Sequence, residues 1–317
     1  MTTAWPLYGH SDAEDVFLQA EARGRLHHAW LLEGPKGIGK SILAQRLAAH
    51  MLGAKSAVAD RVEAPVSDPV VQKCLADGHP DLRVVSRTVN DKGKLAQDIS
   101  IDQIRDLTQF FSLKPAMGGW RVCIIDALDE MNRNGENALL KTLEEPPKSA
   151  IIFLIYHHAR PILPTIRSRC MRLLLSPLSD DDVVRALPNE PSIKSIVRMS
   201  RGQPGLGQRL ASKSGQISIN AANALLRSLP NPSKATIEAA VQAARIDDVA
   251  FEAFFTIIQN WLEDTSIEKP TYAQTWLQTS ALLNEARALK MEPAQTAAKA
   301  IALLRSTTAK TETTANV

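Results

Sequence analysis

The amino-acid sequence predicts an α/β module, a parallel sheet with helices on both faces, followed by a wholly helical region. Three observations carry that expectation. Over residues 1–177, short continuous apolar runs alternate with amphipathic stretches, the pattern of buried parallel strands joined by crossover helices. One such run, Ala29-Trp30-Leu31-Leu32, leads through Glu33 into the glycine-rich loop Gly34-Pro35-Lys36-Gly37-Ile38-Gly39-Lys40-Ser41. After Ser176-Pro177 the strand-like runs stop, while Ala, Leu and Arg become more frequent.

The elements follow in order. Beyond the loop, Ile42, Leu43, Leu47 and Met51 recur at helical spacing. Residues 82–85 read as a second strand, and residues 90–98, polar and rich in Gly and Asp, as an exposed loop. Ile101, Ile104, Leu107, Phe110 and Phe111 form one stripe of a helix. Arg121-Val122-Cys123-Ile124-Ile125 is a buried strand closing on Asp126. Residues 137–145 form a helix stopped by Pro146-Pro147, because proline lacks the amide that a helix needs. Residues 151–156 and 171–175 are further strands. A small helical module is expected over 178–213, with turn chemistry at Gly202-Gln203-Pro204-Gly205. Residues 214–305 are helical, with stripes at Ile237, Ala240, Val241, Ala244 and at Phe251, Phe254, Phe255, Ile258. From Ser306 to Val317 the Thr- and Ala-rich tail offers no core positions and is expected to be disordered.

Composition narrows the function classes. The chain has 317 residues, 44% hydrophobic and 22% charged, enough to bury a core without staples. A net charge of +3 neither demands nor excludes a nucleic-acid partner. Cys74, Cys123 and Cys170 are too few and too scattered for a disulfide framework, which fits a reducing cytoplasm. No secretory segment opens the chain, and no apolar run is long enough to span a bilayer, so no membrane role is expected.

The loop Gly34–Ser41 matches G-x-x-x-x-G-K-[ST]. Its glycines, Gly34, Gly37 and Gly39, let backbone N–H groups turn inward around a phosphate, with Pro35, Lys36 and Ile38 between them. Lys40 adds a mobile cation, Ser41 a hydroxyl for Mg²⁺, and the helix behind it a positive end. A glycine-rich turn that binds nothing is the plainer alternative. Asp126 stands where a second acid orients Mg²⁺ through water, or else it caps a strand. Its neighbour Ala127 accepts no proton; Asp129 and Glu130 follow, but their place two to three residues beyond the strand end is expected to point them elsewhere. Arg169, in Ser168-Arg169-Cys170, follows Pro164-Thr165-Ile166-Arg167 between two strands; taken alone it is a solvated or locally paired arginine. His27 and His28 lack an orienting acid and a nucleophile, and a packing role is expected. Tyr156-His157-His158 ends a strand and either caps it or senses a phosphate. There is no Ser-His-Asp ordering and no nuclease-like carboxylate cluster.

Taken together, ordered segments resemble the AAA+ clamp-loader family of bacterial DNA polymerase III, and within it the delta-prime branch. They are the run from Gly24 to Leu32, the phosphate loop, His79-Pro80-Asp81, Arg121 to Ala127, Glu130-Met131-Asn132, Asn137 to Pro147, and Pro164 to Cys170. The likeness is close over residues 7–210 and rests on helical character beyond 215. It implies a RecA-like AAA+ module over 1–177, a helical lid over 178–213 and an oligomerising helical collar over 214–305. It also implies a ring with gamma/tau ATPase subunits and a delta subunit, loading the beta sliding clamp onto primed DNA. In that family the Ser-Arg-Cys arginine, here Arg169, is offered to the neighbouring motor's ATP.

Three departures qualify the resemblance. The zinc-binding cysteines of clamp-loader ATPase modules are missing, since only Cys74 and His79 lie in that stretch, and four ligands are needed. Ala127 stands where motors carry Glu, and Gly205 where their lid carries a sensor Arg. The last two favour a non-hydrolysing subunit over an active motor. The intact phosphate loop pulls the other way and keeps ATP and Mg²⁺ as candidate ligands, held by Gly34 to Ser41 and Asp126. A P-loop phosphotransferase acting on a small molecule is the third reading.

Overall fold

The computed structural model describes residues 4–89, 95–190, 192–289 and 291–315, which form two compact units. The first comprises residues 1–186 and 202–204, and the second residues 187–201 and 205–317.

The first unit is built on five parallel strands: β1 (Ala29–Glu33), β2 (Leu82–Val85), β3 (Arg121–Ile125), β4 (Ala150–Tyr156) and β5 (Met171–Leu174), in the order β2-β3-β4-β1-β5. β1, β3 and β4 are buried along their whole length, as their unbroken apolar runs require. Helices α1 (Ser11–Ala22) and α2 (Lys40–Met51) cover one face, where Phe17 packs against Trp30 and Phe153 with centroids 5.0 and 5.8 Å away. After α3 (Pro69–Leu75), helices α4 (Ile101–Ser112) and α5 (Arg133–Glu144) cover the other face. There Ile104, Leu107, Phe110, Phe111, Leu139 and Leu143 join Leu31, Cys123, Ile125, Ile152 and Leu154 in one core. Ser100 and Gln103 close a capping box on α4, and the Asn132 side chain caps α5 through the Gly135 N–H. The short helix α6 (Pro164–Arg167) precedes β5, and α7 (Asp180–Ala186) ends the unit.

At the end of the sheet where β2 and β3 begin, Asp81 is fully buried. Its carboxylate accepts the Ala116 and Met117 N–H groups at 2.7 and 2.8 Å and lies 3.5 Å from the Arg121 guanidinium. The Val122 N–H donates to the Asp81 carbonyl at 2.8 Å.

The second unit is helical: α8 (Ile193–Ser200), α9 (Pro204–Ala211), α10 (Lys213–Arg227), α11 (Lys234–Ala244), α12 (Asp248–Glu268), α13 (Thr271–Leu289) and α14 (Pro293–Ala315). Phe254, Phe255, Ile258, Leu262, Ile301 and Leu304 centre its core, and Leu206 and Leu210 of α9 belong to the same cluster as Ile219, Ala222 and Leu225 of α10. The stretch expected as a separate module, 178–213, is thus divided: α7 belongs to the sheet unit, and α8 with most of α9 to the helical one.

The tail departs from expectation. α14 runs on to Ala315 instead of ending near Ser306. Thr308 is buried and continues the spacing of Ile301 and Leu304. The Thr307, Thr308 and Thr311 hydroxyls return to carbonyls four residues back, and Thr307 also meets Thr275 at 2.6 Å. A small threonine satisfied in this way serves as a core residue, which hydrophobic patterning overlooks. Of the loop expected over 90–98, residues 90–94 lie outside the described residues, and Leu95 bridges to Val89.

Candidate functional site

The phosphate loop leaves the carboxyl end of β1, the edge where open α/β sheets place their ligands. Gly34 has φ +152°, and a Cβ there would meet the Leu175 carbonyl oxygen at 2.3 Å. Gly39, at φ +108°, forms the N-cap of α2. Only glycine fits both places. Lys40 opens α2 and is 2% exposed; its Nζ donates to the Gly34 and Pro35 carbonyls at 2.6 and 2.5 Å. Burial pulls its ammonium down to about 8, against the opposing charges of Asp129 and Asp126. His10 bonds through Nε2 to the Ile38 carbonyl at 2.7 Å and fixes the loop from outside.

Asp126 follows β3, its N–H donating to the Val85 carbonyl at 2.9 Å. Burial raises its carboxyl above the ordinary range, opposed by a hydrogen bond from Ser41 and by the charges of Lys40 and Lys36. The structure brings Lys40, Ser41 and Asp126 together. Serine and carboxylate oxygens are the donor type that Mg²⁺ takes. Among the described residues no group of three or more His, Cys, Asp or Glu side chains is arranged to hold a metal ion.

Ala127 is buried beside Asp126 and offers no carboxylate. Asp129 corrects one expectation: it does not point away. The 3₁₀ turn Leu128–Glu130 folds it back, buried, so that its carboxylate accepts the His157 and Ala159 N–H groups at 3.3 and 2.8 Å. Glu130 turns outward instead and pairs with Arg87 at 2.7 Å. His157 reaches within 3.9 Å of Asp126 through Nε2, while its Nδ1 is buried without a partner. Burial and the Lys40 charge pull its imidazole down to about 4, so it is neutral at physiological pH.

Arg169 lies just past α6, and its guanidinium is about one-third exposed. Nη1 donates to the Thr165 carbonyl at 3.0 Å, and Nη2 pairs with Glu144 at 2.9 Å. The segment leading to it is held by α5: fully buried Glu136 takes Arg160 at 2.6 Å and the Leu163 N–H at 3.0 Å. Glu33, the last residue of β1, is also fully buried. It receives Arg167 at 2.8 Å and Arg172 at 2.5 Å, and His158 stands 3.7 Å away. Burial works to raise the Glu33 carboxyl, but the two guanidiniums outweigh it and leave it below its ordinary value. Sequence reasoning missed Glu33, Glu136 and the turn back at Asp129. A carboxylate closing an apolar strand was the available signal for Glu33.

The remaining candidates are structural. Cys74 is buried and its thiol pushed up to about 11 by that burial. His28 bonds to the Leu143 carbonyl at 3.1 Å and stacks on His27 with centroids 4.3 Å apart, as a packing role requires.

Comparison with known proteins fits this geometry. The family model described as DNA polymerase III, delta subunit, matches residues 9–179, more than half of the chain. DNA polymerase III subunit delta' of Pseudomonas aeruginosa is 37% identical over 201 residues, 62% of this chain and 59% of that protein. The Escherichia coli subunit delta' is 29% identical over 211 residues, 63% of this chain and 59% of that protein. The Escherichia coli subunit tau is 30% identical over 238 residues, 69% of this chain and 35% of tau. The matched stretch thus spans less than two thirds of each relative's length. With the phosphate loop, Asp126 and Arg169 all inside the matched region, the chain belongs to the DNA polymerase III delta subunit family, as a homologue of delta'.

Proposed function

We propose that this chain is a non-motor, stator-like AAA+ subunit of the clamp loader of DNA polymerase III. It acts beside gamma/tau ATPase subunits and a delta subunit, in the cytoplasm, and helps load the beta sliding clamp onto primed DNA. Its direct chemical contribution is Arg169, an arginine finger given to the nucleotide of a neighbouring subunit. One contrast carries the reading: a partly exposed guanidinium is held ready just past α6, while the chain's own second-acid strand ends Asp126-Ala127 with no base. A planar fork that is always charged suits a phosphate reached from outside.

In this reading the three-part division into AAA+ module, lid and collar follows the family, with the helical unit serving oligomerisation. The chain's own phosphate loop holds ATP with Mg²⁺ without turning it over. Lys40 would exchange its two carbonyl partners for phosphate oxygens, and Ser41 and Asp126 would face the ion. Gly205, in the first turn of α9, offers no side chain to sense that nucleotide. The intact loop also favours a second reading, an active motor subunit, and ATP turnover by the purified chain alone would favour it.

The deciding experiment reconstitutes the complex with wild-type chain or Arg169→Ala and follows clamp- and primed-DNA-stimulated ATP hydrolysis. The reading expects intact assembly with the served site silenced and clamp loading reduced. Unchanged hydrolysis in an assembled complex overturns it.

A further inference from the structure

Glu33 is the residue in the sheet whose presence local packing explains least. The other four residues of β1 are apolar and equally buried, so an apolar side chain would satisfy the strand end. A carboxylate taken out of water there costs several kcal/mol unless cations and hydrogen bonds compensate it. Compensation comes from one short segment. Arg167 stands two residues before Arg169 and Arg172 three residues after it, and both guanidiniums converge on Glu33, at 2.8 Å and 2.5 Å, with a second Arg172 contact at 3.2 Å. The turn carrying Arg169 is thereby fastened on both sides to one carboxylate. That carboxylate's backbone runs straight into Gly34, the first residue of the phosphate loop. Both arginines are nearly half exposed, so neither is needed to fill the core.

We propose that Glu33 is a positioning residue for Arg169, holding the α6–β5 turn so that the guanidinium meets the neighbouring subunit's nucleotide in a fixed orientation. The proposal rests on the reading that Arg169 acts in trans. Glu144 and the Thr165 carbonyl orient the guanidinium itself, whereas Glu33 orients the backbone from which it projects. Buried ionic groups are best attested as devices of register, and a single register of this turn is what a finger requires. A misplacement of about 1 Å lowers rates by about a hundredfold, so loosening the turn is visible in kcat.

The test uses the reconstituted complex with Glu33→Gln, Glu33→Asp, Arg167→Gln, Arg169→Ala and the double variant Glu33→Gln/Arg169→Ala. Assembly is checked by sizing, and hydrolysis is followed against ATP concentration. Glu33→Gln is expected to lower kcat at the served site by about ten- to a hundredfold. The KM for ATP stays unchanged, Glu33→Asp partly restores the rate, and the double variant is no slower than Arg169→Ala. Arg167→Gln, at a half-exposed position, gives the same kcat loss in smaller measure and decides the matter if Glu33→Gln fails to assemble. Wild-type kcat in Glu33→Gln and Arg167→Gln, with Arg169→Ala silent, overturns this proposal and leaves the finger intact. So does a double variant slower than Arg169→Ala. Wild-type hydrolysis by Arg169→Ala overturns the finger and the proposal with it.

Discussion

The phosphate loop and the α6 segment lie on either side of the same carboxylate, Glu33, yet they treat their cations in opposite ways. Lys40 is 2% exposed and directs its ammonium to two carbonyls of its own loop. Arg169 is about one-third exposed and is balanced by Glu144, which is half exposed. An anion reaching Lys40 has to enter the fold and displace internal hydrogen bonds. An anion reaching Arg169 only has to compete with a surface ion pair, which is worth about 1 kcal/mol or less. In the proposed reading, one region holds a ligand within the chain and the other acts on something outside it.

Arg169→Ala should give the largest effect, about a thousandfold or more in hydrolysis at the site it serves. Nucleotide binding by the isolated chain, measured by calorimetry, should not change. Lys40→Met should reverse that pattern. It removes a charge-assisted contact of about 1.5–3 kcal/mol, so the chain's own affinity for ATP falls by about ten- to a hundredfold. The neighbour's hydrolysis should be far less affected. If Lys40→Met silences the neighbour as fully as Arg169→Ala does, the two regions act as one and the comparison breaks.

Smaller effects sharpen it. Asn132→Ala removes the cap of α5, the helix that carries Glu136 and Glu144, and should cost about 1 kcal/mol in chemical denaturation. The Glu33 carboxyl lies below its ordinary value in the folded chain, so its contribution to stability is complete above the unfolded-state value. That contribution is lost as pH falls through the folded value. Wild type should therefore lose stability toward acid more steeply than Glu33→Gln, and parallel thermal melts of the two between neutral and acid pH check the sign.

Much of the sheet unit was legible because its constraints are local. Unbroken apolar runs mark β1, β3 and β4, and a glycine motif must follow a strand to be useful. The partners of the buried carboxylates were not legible. Glu33 meets Arg172 across 139 positions and Glu136 meets Arg160 across 24, distances that no periodicity encodes. Asp129 was misplaced because a single 3₁₀ turn reverses its direction. The helical unit showed its stripes but not its extent. Thr308 is a core residue only once its hydroxyl has found a carbonyl, so the last turns of α14 looked like tail.

Asp81 has a consequence for how the sheet assembles. β2 is a four-residue edge strand, and so short a parallel pairing has little intrinsic preference for one alignment over its neighbours. The carboxylate supplies that preference. Sliding β2 by one residue would leave a fully buried anion without its two amides and its guanidinium, a far heavier penalty than the loss of one ladder hydrogen bond. The contact works as an alignment pin: misaligned forms of the edge are rejected while the chain folds, and a foreign strand gains nothing by taking the place of β2.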